Sequence, residues 1–85
     1  MISAKEASLL IDTNIKAKIT NQLNILRQDF SYKLSAAERK FICISADSNH
    51  TESVGEFRRE LHSLGYTTDL AKGPPRTVFI EVTWE

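Results

Sequence analysis

The clearest pattern in the chain lies near its end. Over Thr77-Val78-Phe79-Ile80-Glu81-Val82-Thr83-Trp84, β-branched and aromatic side chains alternate between two faces, which is the period of a strand. Val78, Ile80, Val82 and Trp84 form a face that requires a cover of helices, while Thr77, Phe79, Glu81 and Thr83 form one that tolerates partial exposure.

At the other end, Ser3-Ala4-Lys5-Glu6 has the form of a capping box and predicts a helix start. Apolar residues then recur at Ala7, Ile11, Ile15, Ile19, Leu23, Leu26, Phe30, Leu34 and Ala37, in steps of three and four that draw one helical stripe. Neither proline nor glycine occurs before Gly55. A continuous helix to about Ala36 would be about 50 Å long, more than the ~30 Å body of so small a domain, so it must overhang or break. Asp12-Thr13-Asn14 is the expected break, because all three side chains compete for backbone hydrogen bonds. Leu9, Leu10, Ala17 and Ile25 lie off the main stripe and are expected to form a partner-facing seam.

Phe41 to Ser45 reads as a short strand, and Asp47-Ser48-Asn49-His50 as a turn in which Asn49 and Glu52 form a second capping box. The helix that follows carries Val54, Phe57, Leu61 and Leu64 at helical spacing, is weakened by Gly55 and closes at Gly65. Tyr66 to Leu70 is a modest strand, and Lys72-Gly73-Pro74-Pro75-Arg76 a turn no central strand would accommodate. The predicted fold class is α+β. A long N-terminal helix is followed by β-α-β-β, giving a three-stranded sheet with the C-terminal strand central and both helices over the Val78 face. Residues 1–85 form one domain.

A chain of 85 residues buries only about 60–65% of the surface its unfolded form exposes, so a homo-oligomer is expected. The net charge is zero, but residues 1–40 hold seven Lys or Arg against four Asp or Glu, and residues 41–85 hold four against seven. That asymmetry can orient an association, and it falls well short of the basic stripe of a duplex-DNA binder. Cys43 has no partner for a disulfide and reads as an inert thiol. No apolar run approaches a membrane span and no signal-peptide layout opens the chain, so a cytoplasmic protein without membrane association is expected.

Candidate chemistry is sparse. His50 and His62 stand without neighbours at metal-ligand spacing, and no metal or cofactor is expected. No Ser, Cys or Lys has an evident base, which argues against an enzyme. Ser48, Asn49, His50 and Thr51 open a helix, where free amides favour an anion, although Asn49 as a plain cap is the simpler explanation. Lys72 and Arg76 add a second phosphate contact or a solvated hairpin tip. The ligand-binding set is therefore His50, Thr51, Lys72 and Arg76 on phosphate, with Tyr66 or Phe79 stacking a base. Trp84 reads as core.

The strings Ile2-Ser3-Ala4-Lys5-Glu6-Ala7, Leu61-His62-Ser63-Leu64-Gly65-Tyr66 and Val82-Thr83-Trp84, with the long helix, resemble small accessory proteins encoded by tailed bacteriophages. The resemblance implies a protein at work in the cytoplasm of an infected bacterium, where trapping a nucleotide signal or binding a host protein are typical tasks. The first expectation is a non-catalytic oligomer that sequesters a phosphate-bearing ligand such as a cyclic nucleotide between subunits. The alternative is an inhibitor or interaction module that grips a host factor through Leu9, Leu10 and Ile25.

Overall fold

The computed structural model describes all residues 1–85, and its elements run α1 (Ala4–Ser35), β1 (Phe41–Asp47), α2 (Thr51–Ser63), β2 (Thr67–Lys72) and β3 (Thr77–Thr83). The sheet order is β1-β3-β2, and β3 pairs antiparallel with both neighbours. The alternating C-terminal strand is central, as its pattern requires. No helix is long and apolar enough to cross a membrane.

α1 starts at the expected cap, where the Glu6 N–H donates to Ser3 Oγ at 3.2 Å. It does not break at Asp12 to Asn14. The Thr13 hydroxyl donates to the Leu9 carbonyl one turn back, at 3.0 Å, so its local hydrogen bond is absorbed within the helix. With no glycine or proline to interrupt it, α1 keeps its 32 residues unbroken and the overhang is real. The molecule measures 56 Å along its longest axis and 28 Å across the next.

Only the second half of α1 reaches the core. Leu26 and Phe30 pack with Ile42 and Ile44 of β1, Ile80 and Val82 of β3, and Val54, Phe57 and Leu61 of α2. Both helices therefore cover the face that β3 directs through Ile80 and Val82, and Trp84 packs at its margin. The buried Ser53 hydroxyl donates to Gln22 Oε1 at 3.0 Å, which ties the start of α2 to the middle of α1. One turn further, Arg27 holds Glu60 by two guanidinium nitrogens, Nε at 2.9 Å and Nη2 at 2.8 Å. α2 closes at Gly65, whose φ of 96° is left-handed, as a helix-closing glycine requires.

The opposite face has no helix over it. Its central row is Cys43, Glu81 and Asp69 in register, and Phe41 lies exposed at its end. Phe79 is half-buried on this face because Gly73 lies against its ring, so close that a Cβ there would come within 2.6 Å of Cε2. Edge strand β1 is guarded by Lys33, whose Nζ donates to the Cys43 carbonyl at 2.8 Å.

On the covered face, β2 contributes a polar anchor. The buried Thr68 hydroxyl accepts from Arg58 Nε at 2.9 Å and lies 2.8 Å from His62 Nε2. Thr68→Val keeps the shape and the Arg58 bond to the Thr68 carbonyl but removes the hydroxyl partner of Arg58 Nε and His62 Nε2, and is expected to cost about 1–3 kcal/mol. Chemical denaturation measures this; an unchanged midpoint would show that water satisfies both groups.

Candidate functional site

The connection from β1 to α2 does not form the expected Asn cap. The Asn49 N–H donates instead to Asp47 Oδ1 at 2.9 Å, a local turn two residues long, and α2 begins one residue later, with His50 at a cap position that makes no side-chain hydrogen bond. The Asp47 carboxylate thus stands beside the first turn of α2, with Oδ2 4.0 Å from His50 Nε2. An anion at those amides would meet that carboxylate and Glu52. His50 lines the hollows on the α1 side of the connection and does not join Lys72 and Arg76.

The hairpin tip is built on a turn from Pro74 to Thr77, closed by the Thr77 N–H donating to the Pro74 carbonyl at 2.9 Å. Pro75 occupies its second position, where a fixed φ is preferred, and Arg76 its third, at a φ of 64°. Glycine is the residue that suits such a backbone, and a longer side chain there costs about 1–2 kcal/mol. An arginine held in that conformation places a cation at the tip. The Arg76 carbonyl in turn accepts from the Ser48 N–H at 2.9 Å, which draws the β1–α2 connection against the hairpin.

Two adjoining hollows result, sharing Ser48, Leu70 and Val78. One of about 220 Å³ lies between α2 and the sheet, walled by Thr51, Val54, Gly55 and Arg58. The other, of about 500 Å³, follows the tip past Lys72, Pro74 and Arg76. Together they are lined by three cationic residues, Arg58, Lys72 and Arg76, and three hydroxyl residues, Ser48, Thr51 and Thr77, and no carboxylate lines either. Lys72 and Arg76 form no ion pair elsewhere in the chain. Arg58 is steadied by its bonds to Thr68. The floor of Leu70, Val78 and Val54 is apolar, so the cleft offers an anion site beside a surface for a flat or aliphatic group.

Gly55 gives this cleft its width. Its φ is ordinary, and nothing lies within 4 Å of a Cβ built there, so neither backbone conformation nor packing calls for glycine. A helix-interior glycine costs about 1 kcal/mol relative to alanine, and what it leaves behind is open space in the wall.

Of the residues expected to bind, Thr51, Lys72 and Arg76 meet at this cleft and His50, Tyr66 and Phe79 do not. Tyr66 sits at the far end of β2, edge-on to Phe30 at 5.3 Å and to Trp84 at 5.4 Å. Thr67, the next residue, pairs with Thr83, whereas Lys72 pairs with Val78, so about 20 Å of chain separates Tyr66 from the cations. Tyr66 is a packing residue. Phe79 projects from the uncovered face of the sheet, away from the cleft. Sequence reasoning missed Arg58, Gly55 and Leu70. Leu70, which shares a face of β2 with Thr68 and Lys72, and Gly55, a glycine inside a helix, were the available signals.

Leu9, Leu10 and Ile25 are each more than half exposed on α1, but they do not form one seam. At about 100° per residue, Leu9 and Ile25 point about 160° apart, so a single partner surface cannot cover both. No protein-family model, no curated protein and no solved structure matches this chain.

Proposed function

We propose that the chain is a non-catalytic binding protein that holds a small phosphate-bearing ligand in the cleft between α2 and the β2–β3 hairpin. The carrying observation is the pair of adjoining hollows, one lined by Arg58 and Thr51 and the other by Lys72 and Arg76, which share Ser48 and are lined by no carboxylate. Phosphate oxygens take charge-assisted bonds from Lys72 and Arg76, and the apolar floor takes the rest of the ligand. With no aromatic side chain lining the cleft, the phosphate carries more of the recognition than the base. The site lies within one chain and not between subunits. A nucleotide-type signal suits both this chemistry and the tasks implied by the resemblance to phage accessory proteins.

The test is calorimetric titration with cyclic and linear nucleotides, and with inorganic phosphate alongside. Wild type is expected to release heat with at least one nucleotide, and silence across the panel would overturn the proposal. Arg76→Gly separates fold from site. It relieves the left-handed backbone and raises stability by about 1 kcal/mol, while weakening binding roughly tenfold or more. Gly55→Leu is expected to fill the wall and abolish binding with the fold intact. Binding that survives both variants would place the ligand elsewhere.

A second reading, an interaction module acting through α1, is favoured by one feature: the projecting half of that helix exposes Leu9, Leu10, Ile11 and Ile15.

A further inference from the structure

We infer that the projecting half of α1 pairs antiparallel with the same segment of a second copy of this chain, through Ala7, Ile11, Ile15 and Ile19. These residues continue the line that Leu26 and Phe30 bury further along, so on the projecting half an apolar stripe runs on beyond the sheet that would cover it. Ile11 is 57% exposed and Ile15 51%, which is a large unburied surface for residues on the core-facing line of a helix.

The shape sets where an occupant ends. The overhang meets the body at an inner corner, a hollow of about 460 Å³ lined by Ile15, Lys18, Ile19 and Gln22 on α1 and by Asp47, His50 and Glu52 on the body. A helix laid antiparallel along the stripe from outside ends in this corner, and the same segment of a second copy can lie along it. With the tip of one copy at Gln22 of the other, Ile11 meets the partner's Ile15 and Ala7 meets the partner's Ile19. Each small residue faces a large one, and the two-fold axis repeats every contact.

Charge fits the same register. Asp12 and Lys16 lie on one flank of the stripe, form no ion pair within the chain, and in an antiparallel pair face each other across the axis twice. Lys5, also without an ion pair, comes to the partner's corner, where the carboxylates of Asp47 and Glu52 outnumber the one lysine, Lys18. The paired length runs from the tip to Gln22, and only the stripe side of each helix, roughly half of those residues, enters the interface. Leu9 and Leu10 remain outside it.

Sedimentation equilibrium tests this on the intact chain. Wild type is expected to be a dimer at micromolar concentration. Ile15→Asp, at a side chain exposed in the single chain, should leave far-UV circular dichroism unchanged and weaken the dimer roughly tenfold or more. Asp12→Lys should weaken it less, with recovery in the Asp12→Lys, Lys16→Asp double variant, which restores the ion pair with the opposite sign. Leu10→Asp should have no effect. A monomer at about 100 μM, far above the dissociation constant of a stable pair, overturns the inference and leaves the stripe to a different occupant. A dimer indifferent to Ile15→Asp, or one broken by Leu10→Asp, overturns it as well. Because ligand titration is read separately, neither result bears on the cleft.

Discussion

Phe57→Ala is expected to remove about 3–5 kcal/mol of stability, the largest loss from any single truncation in this chain. The ring is 1% exposed on α2, at the centre of the cluster formed by α1, β1 and β3, and meets Phe30 edge-on at 6.1 Å. A domain of this length holds about 4–13 kcal/mol in total, at 0.05–0.15 kcal/mol per residue. Only 11 of the 85 residues are buried, which places this chain toward the low end of that range, so the variant should sit close to its unfolding midpoint in plain buffer. Urea titration followed by circular dichroism measures it. A loss under about 1 kcal/mol would mean that the surroundings collapse onto the vacated space and that the centre is not close-packed.

Phe30→Ala is expected to cost nearly as much, about 3–5 kcal/mol, for a different reason. Phe30 is the one side chain of α1 that touches two aromatic partners, Phe57 on α2 and Tyr66 at the start of β2, and Tyr66 in turn supports Trp84. Its loss loosens the helix from both layers and should change Trp84 fluorescence in the folded state. Since Phe30 and Phe57 are in contact, their double variant should cost less than the sum of the two singles, by about 0.5–1.5 kcal/mol. Strict additivity would mean that the edge-on contact contributes nothing beyond burial.

The architecture was legible because its strongest signals are periodic. The alternation around Ile80 and Val82 identifies a strand with one covered face, and Val54, Phe57 and Leu61 identify the helix that covers it. Local competition was harder to read. Thr13 has the composition of a break, yet its hydroxyl is satisfied inside the helix. Asn49 has the composition of a cap, yet Asp47 takes its amide first.

The cleft was half legible for a related reason. Lys72 and Arg76 flank one turn and are neighbours by necessity, and Thr51 joins them because Ser48 is hydrogen-bonded to that turn. Arg58 could not be placed from spacing, since its direction depends on Thr68, ten residues away on another element. Tyr66 was misread because an aromatic residue looks the same in sequence whether it stacks a ligand or Phe30.

The order of strands in the sheet also has a consequence in time. β1 and β2 do not pair with each other; each joins the sheet only through β3, with Phe41 pairing to Thr83 across 42 positions of chain. On the ribosome, α1 can wind as soon as it emerges, because its hydrogen bonds are local. Neither outer strand has anything to pair with until the stretch from Thr77 onward has been made. Until then the nascent chain is a helix followed by unpaired segments, its apolar positions at Ile42 and Ile44 uncovered, and the sheet assembles once β3 has been made.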